Sequence, residues 1–235
     1  KAAVVNHNVV NIDKRLQEKR KRVQIYPKNL SQETYLLKLN DPQKMIVFAI
    51  GPAGTGKTML GVQWAVDQLK YGEIDKIIIT RPAVSVDEEH GFLPGDLNEK
   101  MAPWTKPIFD VLLENFNSHE VENFVREGVI ETSPLAYMRG RTFKNAVVIA
   151  DEMQNATPSQ MKMLLTRLGD GSKIVVTGDT RQADRKEADN GLLDFKRLVD
   201  DYTAKCKYVS GVEFNGKDIM RHPAVSEILK IYKEI

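Results

Sequence analysis

The run Met45-Ile46-Val47-Phe48-Ala49-Ile50 leads directly into Gly51-Pro52-Ala53-Gly54-Thr55-Gly56-Lys57-Thr58, and an amphipathic helical pattern follows from Thr58 to Leu69. The middle segment fits G-x-x-x-x-G-K-[ST] between a strand and a helix, which is the context a phosphate-binding loop requires. Glycines let backbone N–H groups converge on phosphate oxygens, and the helix N-terminus adds its dipole. Lys57 is then expected to reach the β and γ phosphates of ATP, and Thr58 to offer its hydroxyl to Mg²⁺. The nucleotide-binding set predicted from the loop is Gly51, Pro52, Ala53, Gly54, Thr55, Gly56, Lys57 and Thr58.

A phosphate loop needs an acid at the end of a neighbouring strand for the metal. AVVIA followed by Asp151-Glu152 supplies it, with Asp151 as the Mg²⁺ acid and Glu152 as the residue that orients or deprotonates the attacking water. The strand KIVVT ends in Gly178-Asp179-Thr180-Arg181-Gln182, polar residues at the carboxyl end of a third apolar strand, and Gln182 is expected to sense the γ-phosphate.

Outward from these segments, short apolar runs alternate with helical patterns. Strands are expected at Met45–Ile50, Lys76–Thr80, Gly128–Glu131, Asn145–Ala150, Lys173–Thr177 and Lys205–Phe214. Helices are expected near Thr58–Leu69, Lys106–Phe116, Ser159–Leu168 and Leu192–Val199, with an earlier one from Ser31 closed by Asp41-Pro42. Runs such as IVFAI, KIIIT, AVVIA and KIVVT are apolar at consecutive positions, as in parallel strands covered on both faces. The expected fold is α/β: a RecA-like P-loop NTPase domain with a mostly parallel sheet and helices on both faces.

Composition narrows the class without choosing a substrate. The chain has 235 residues, 42% hydrophobic and 28% charged, enough for one sizeable core. Its net charge of +2 leaves any affinity for nucleic acid to local clusters, such as KRLQEKRKR from Lys14 to Arg22, which suits a solvated helix or a basic arm. The single cysteine, Cys206, forms no intrachain disulfide, and the apolar runs are too short to span a membrane, so the cytoplasm is the expected compartment. His90, His119 and His222 are scattered without metal-ligand spacing. The chain begins at Lys1 rather than Met, so residues 1–26 read as a basic arm or the remnant of a longer chain.

Five segments carry a resemblance: QNATPSQMKMLL (154–165), VVTGDTRQAD (175–184), GFLPGDLNEKMAPWTKPIFDVL (91–112), YMRGRTFKNAVVIADE (137–152) and RHPAVSEILKIY (221–232). Together they are similar to the PhoH family, which itself resembles the ATPase core of superfamily 1 helicases. The similarity runs from about Pro27 to Tyr232 and implies one PhoH-like P-loop ATPase domain over 27–235. The resemblance implies that Gln32 reads adenine from upstream of the loop. It also implies that Arg81, in ITRPAV, touches a nucleic-acid backbone and that Arg221 stabilises γ-phosphate charge. Two positions depart from the family pattern: Met153 stands where Ala is usual in DEAQN, and Trp104 where Tyr is usual.

Other residues leave alternatives open. Arg139 and Arg141 could face nucleic acid, a neighbouring subunit or the nucleotide, and Phe92 and Trp104 suit either base stacking or local core packing. A single core with one phosphate loop, set beside two-core helicases, predicts a composite site made with another subunit. A homo-oligomer, in the form of a hexameric ring, would supply Arg221 in trans. The expected activity is ATP hydrolysis coupled to remodelling of single-stranded RNA or another nucleic acid. The competing readings are a nucleotide-gated RNA- or partner-binding module with slow hydrolysis, and a motor serving a ribonuclease.

Overall fold

The computed structural model describes residues 22–83, 97–182, 190–202 and 205–220, with 224, 227, 228 and 231; for 97–104 only the backbone is described. Six strands, β1 (Ile46–Ile50), β2 (Lys76–Arg81), β3 (Ile130–Pro134), β4 (Ala146–Ala150), β5 (Lys173–Gly178) and β6 (Val209–Glu213), form one sheet in the order β3-β2-β4-β5-β1-β6. Every neighbouring pair is parallel. The helices are α1 (Leu30–Asn40), α2 (Lys57–Tyr71), α3 (Leu97–Leu113), α4 (Ser118–Arg126), α5 (Pro158–Leu165) and α6 (Gly191–Asp201), with short 3₁₀ turns at Leu135–Met138, Met153–Asn155 and Gly216–Asp218.

Strand periodicity divides the core in two. Val47, Ala49, Ile77, Ile79, Val147, Ile149 and Val175 pack on one face with side chains of α1, α2, α3 and α4. Phe48, Ile78, Val148, Ile174 and Val176, each one residue out of phase, pack on the other with α5, α6 and the 3₁₀ turns at Leu135–Met138 and Met153–Asn155. The consecutive apolar runs in the sequence are thus the two-faced strands of a parallel sheet.

The edge strands differ from expectation. β3 lies at Ile130–Pro134 rather than Gly128–Glu131. The chain after α4 is used to close that helix, with the amides of Gly128 and Val129 bonded to Val125 O and Phe124 O. The interior of β3 is Glu131-Thr132-Ser133, half-buried at the sheet edge, so it offers no apolar run. Helix α3 begins at Leu97 rather than Lys106, with Pro103 and Pro107 inside its span, a pattern that hides a helix from propensity. At the other edge β6 is confined to Val209–Glu213, while Lys44 Nζ holds the preceding segment through Cys206 O and Lys207 O.

Two buried charges tie the layers together. Asp67 of α2 takes the Arg22 guanidinium at 2.7 Å and the Val23 amide at 2.8 Å, so the last residue of the basic run docks on the domain. Lys173, at the start of β5, donates to Leu39 O and Asp41 O at the end of α1, and its ammonium lies 5.0 Å from the Trp64 ring centroid. Burial lowers the Lys173 ammonium to about 8, although the Asp41 carboxylate opposes the shift. Among the described residues, no helix is long and apolar enough to cross a membrane.

Candidate functional site

The phosphate loop occupies the turn between β1 and α2, at the carboxyl edge of the sheet. Its last glycine, Gly56, sits at φ 81° and is the N-cap of α2. A side chain there would be strained by the left-handed backbone, and its Cβ would come within 3.0 Å of Gln32 Nε2. Thr55 Oγ1 donates to Pro52 O at 3.0 Å, and Lys57 Nζ reaches back to the same carbonyl at 3.1 Å.

Alternation along β4 and β5 explains how the acid meets the loop. Asp151 continues the Val147-Ile149 face and Thr177 the Val175 face, so both side chains lie on the α2 side of the sheet. Thr58, in the first turn of α2, completes the cluster: its Oγ1 donates to Asp151 Oδ1 at 2.8 Å, and Thr177 Oγ1 donates to the same oxygen. The two hydroxyls are 3.4 Å apart. Asp151 itself is buried, and its backbone amide is fixed to Thr80 O at 2.9 Å. Nearby, burial pushes the fully enclosed Tyr35 phenol strongly upward, and the Asp151 charge adds to that shift. Sequence reasoning missed Thr177; its signal was a lone polar residue closing an apolar strand.

This donor set suits Mg²⁺. The ion prefers hard oxygen ligands and takes few from the protein, keeping water and phosphate oxygens for the rest. One hydroxyl and one carboxylate already in contact at the loop meet that requirement.

Glu152 follows at φ 53°, ψ 38°, one of two non-glycine residues with positive φ among those described. A left-handed residue of this size is held at a cost of roughly 1–3 kcal/mol by its surroundings, and such strain clusters at working sites. The turn swings the Glu152 side chain away from the regular strand path, half-buried, beside Asp151.

Gln32 is brought to the loop. It is buried, 2% exposed, with Nε2 donating to Thr55 O at 2.9 Å and Oε1 accepting the Lys28 amide at 2.7 Å. The loop is also held from the carboxyl side: Phe214 N donates to Ile50 O at 2.7 Å and Met220 N to Gly54 O at 2.9 Å. Gln182 lies in the turn after β5, exposed, with its amide on Asp179 O at 3.1 Å.

Several expected residues separate. Arg141 forms a two-pronged ion pair with Glu131 of β3, one prong being Nη2 to Oε2 at 2.9 Å, and the Lys76 ammonium stands 3.6 Å from the same carboxylate. That pairing holds Glu131 below its usual range and Arg141 above its own, which gives Arg141 a structural role in anchoring the chain ahead of β4. Arg139 is exposed and Arg81 half-buried at the end of β2. Arg221, Phe92, His90, His222 and the FLPGD segment (92–96) lie outside the described residues, as does the side chain of Trp104.

An all-parallel sheet carrying this loop at its carboxyl edge, with a strand-end carboxylate on the loop threonine, defines a RecA-like P-loop nucleotide-binding protein. The model of the PhoH-like protein family matches residues 24–233, and the chain belongs to that family. A PhoH-like protein of Bacillus subtilis (strain 168) is 48% identical over 208 residues, covering 87% of this chain and 63% of its own length. One from Synechocystis is 47% identical over 191 residues, covering 80% of this chain and 56% of its own length. The chain therefore spans about three-fifths of the length of these relatives. Among solved structures, the UvsW helicase from bacteriophage T4 aligns with a TM-score of 0.47 at 12% identity, covering 88% of this chain and 68% of that one.

Proposed function

We propose that the chain binds ATP with Mg²⁺ on the loop Gly51–Thr58 and hydrolyses it. The observation that carries this reading is the contact of Thr58 and Thr177 with one oxygen of Asp151, directly beside a strained Glu152. Thr58 and Asp151 would hold the Mg²⁺. The ion when bound neutralises phosphate charge.

The protein's own groups do the rest. Loop N–H groups and the α2 N-terminus cradle the phosphates. Lys57, released from Pro52 O, turns its ammonium to the β and γ phosphates. Gln32, which the family resemblance casts as the reader of adenine, stands against the loop from the side of α1. Glu152 accepts the proton of the attacking water as that water adds to the γ-phosphorus and the β–γ bridging oxygen leaves with ADP. Gln182 follows the γ-phosphate from the turn after β5, and Arg221 stabilises the charge that develops on the transferred group.

Coupling of hydrolysis to single-stranded RNA or another nucleic acid, in a homo-oligomer of identical chains, extends the proposal on the strength of the family resemblance. Arg81, at the carboxyl end of β2, and Arg139, just after the 3₁₀ turn Leu135–Met138, are the cations this coupling would use. The test is the steady-state ATPase rate with and without single-stranded RNA and DNA, on protein of measured oligomeric state. Stimulation by nucleic acid is the expected result. Turnover indifferent to it would leave a nucleotide-gated binding module, and no turnover at all would remove the hydrolase reading.

A further inference from the structure

Glu152 does not stand alone at the end of β4. Two residues on, in the 3₁₀ turn Met153–Asn155, the amide of Gln154 is 2% exposed and fully committed at both ends. Its Nε2 donates to Glu152 Oε2, and its Oε1 accepts the backbone amide of Asp179 at 3.1 Å. The side chain therefore spans from the proposed general base to the first residue after β5.

The far end of that span is itself well fixed. The Asp179 carboxylate accepts the Arg181 amide at 3.0 Å and faces the Arg181 guanidinium at 3.7 Å, while Asp179 O accepts the Gln182 amide. The turn that carries Gln182 is thus organised around Asp179, and Asp179 is bonded to Gln154. An independent observation concerns Gly178. Its backbone is outside the left-handed region, so conformation does not demand glycine, yet a Cβ there would lie 2.6 Å from Gln154 Oε1 and 2.6 Å from Leu192 Cδ2. The position is small because the Gln154 amide and the Leu192 side chain both pass over it.

We infer that Gln154 is a positioning residue: it holds the Glu152 carboxylate in register with the Gly178–Gln182 turn, and Gly178 is kept bare to let it do so. A carboxylate on a left-handed, strained residue would otherwise sample several rotamers, and a base displaced by about 1 Å from its water loses on the order of 10² in rate. One amide N–H leaves a carboxylate further lone pairs for the water, so the contact orients Glu152 without blocking it. The inference rests on the proposed hydrolysis of ATP.

The test uses two variants that disturb the span from opposite ends. Gln154→Met keeps length and removes both polar atoms. Gly178→Ala adds one methyl whose two nearest neighbours are side-chain ends, Gln154 Oε1 and Leu192 Cδ2, with the Gln154 backbone nitrogen at 3.3 Å, so the Gln154 amide must be pushed aside, and the melting temperature reports what the repacking costs the fold. The readouts are kcat, the dissociation constant of a fluorescent ATP analogue, and the melting temperature. In both variants kcat should fall roughly tenfold or more while analogue affinity stays within about threefold, the pattern of a group that acts on chemistry rather than on binding. The double variant should lose little beyond Gln154→Met alone, because the two changes remove one contact. Wild-type kcat in the variants, or affinity falling together with kcat, overturns the inference. Should Gln154→Met not fold, Gly178→Ala decides by the same criteria. If the wild-type chain itself turns over no ATP, the proposed function fails instead, and the two failures are separable.

Discussion

Thr58 Oγ1 donates to Asp151 Oδ1 at 2.8 Å, across 93 positions of sequence. The contact joins the first turn of α2 to the end of β4, so the loop that would hold phosphate and the acid that would hold metal are already in register. Thr177 makes the same oxygen a shared acceptor. Thr177→Val, which keeps the shape and removes the hydroxyl, should raise the Mg²⁺ concentration for half-maximal ATPase activity roughly tenfold, the usual size for loss of a supporting contact. A magnesium titration at saturating ATP measures it, and an unchanged midpoint would make the Thr177 contact incidental.

Lys57→Ala removes the cation aimed at the β and γ phosphates. Turnover should become undetectable while the far-ultraviolet circular dichroism spectrum is retained, because the lysine's bond to Pro52 O is local to the loop. Wild-type hydrolysis by this variant would sink the assignment of the loop.

Glu152→Gln should leave ATP binding near the wild-type level and slow hydrolysis by roughly 10²-fold or more, the size of a general-base contribution. Single-turnover kinetics with labelled ATP separate the two quantities. Loss of binding with unchanged turnover per bound ATP would make Glu152 structural.

Arg221→Ala should lower kcat by roughly 10³ or more with a much smaller loss of ATP affinity, as for an arginine finger. Mixing it with Glu152→Gln tells which chain the guanidinium serves. In a ring that supplies Arg221 in trans, freely exchanging subunits recover part of the activity. The bond from Met220 N to Gly54 O ties the preceding residue to its own chain's loop, and if that governs, the mixture stays at the sum of its parts.

Lys173 gives a prediction for pH. Its folded value of about 8 lies below the ordinary 10.5, so between these the unfolded chain carries the larger share of bound proton and this group's contribution to stability rises with pH. The difference in unfolding free energy between wild type and Lys173→Met should therefore move in favour of wild type from pH 8 to 10, with a slope of at most about 1.4 kcal/mol per pH unit. Denaturant unfolding at several pH values measures it. A flat or falling difference would show the ammonium to be stabilised where it lies.

The loop was legible because its chemistry is local: eight consecutive residues carry their own glycines, lysine and threonine. Strands β1, β2, β4 and β5 were legible because burial on both faces forces apolar runs. β3 reads two residues early, at Gly128–Glu131, since an edge position admits Glu131, Thr132 and Ser133 in place of an apolar run. Asp151 and Glu152 could be singled out by their place after a strand, whereas the contacts of Thr177 with Asp151 and of Gln154 with Asp179 arise only through the pairing of β4 with β5, which no single segment of sequence contains. Arg141 reads as open between nucleic acid, a neighbouring subunit and the nucleotide because its partner, Glu131, is ten residues earlier on an edge strand and only the folded sheet brings the two together.

The grip on the loop from both flanks has a consequence of its own. Asn29 of the leading flank bonds Asp218 of the trailing one, 189 positions away, at 3.4 Å, and on either side of that clasp Gln32 takes Thr55 O while Met220 takes Gly54 O. Deuterium uptake at the Met220 amide should consequently slow when nucleotide fills the loop. Linkage is reciprocal, so any polypeptide or partner that pulls on either flank gains leverage over nucleotide affinity without touching the nucleotide.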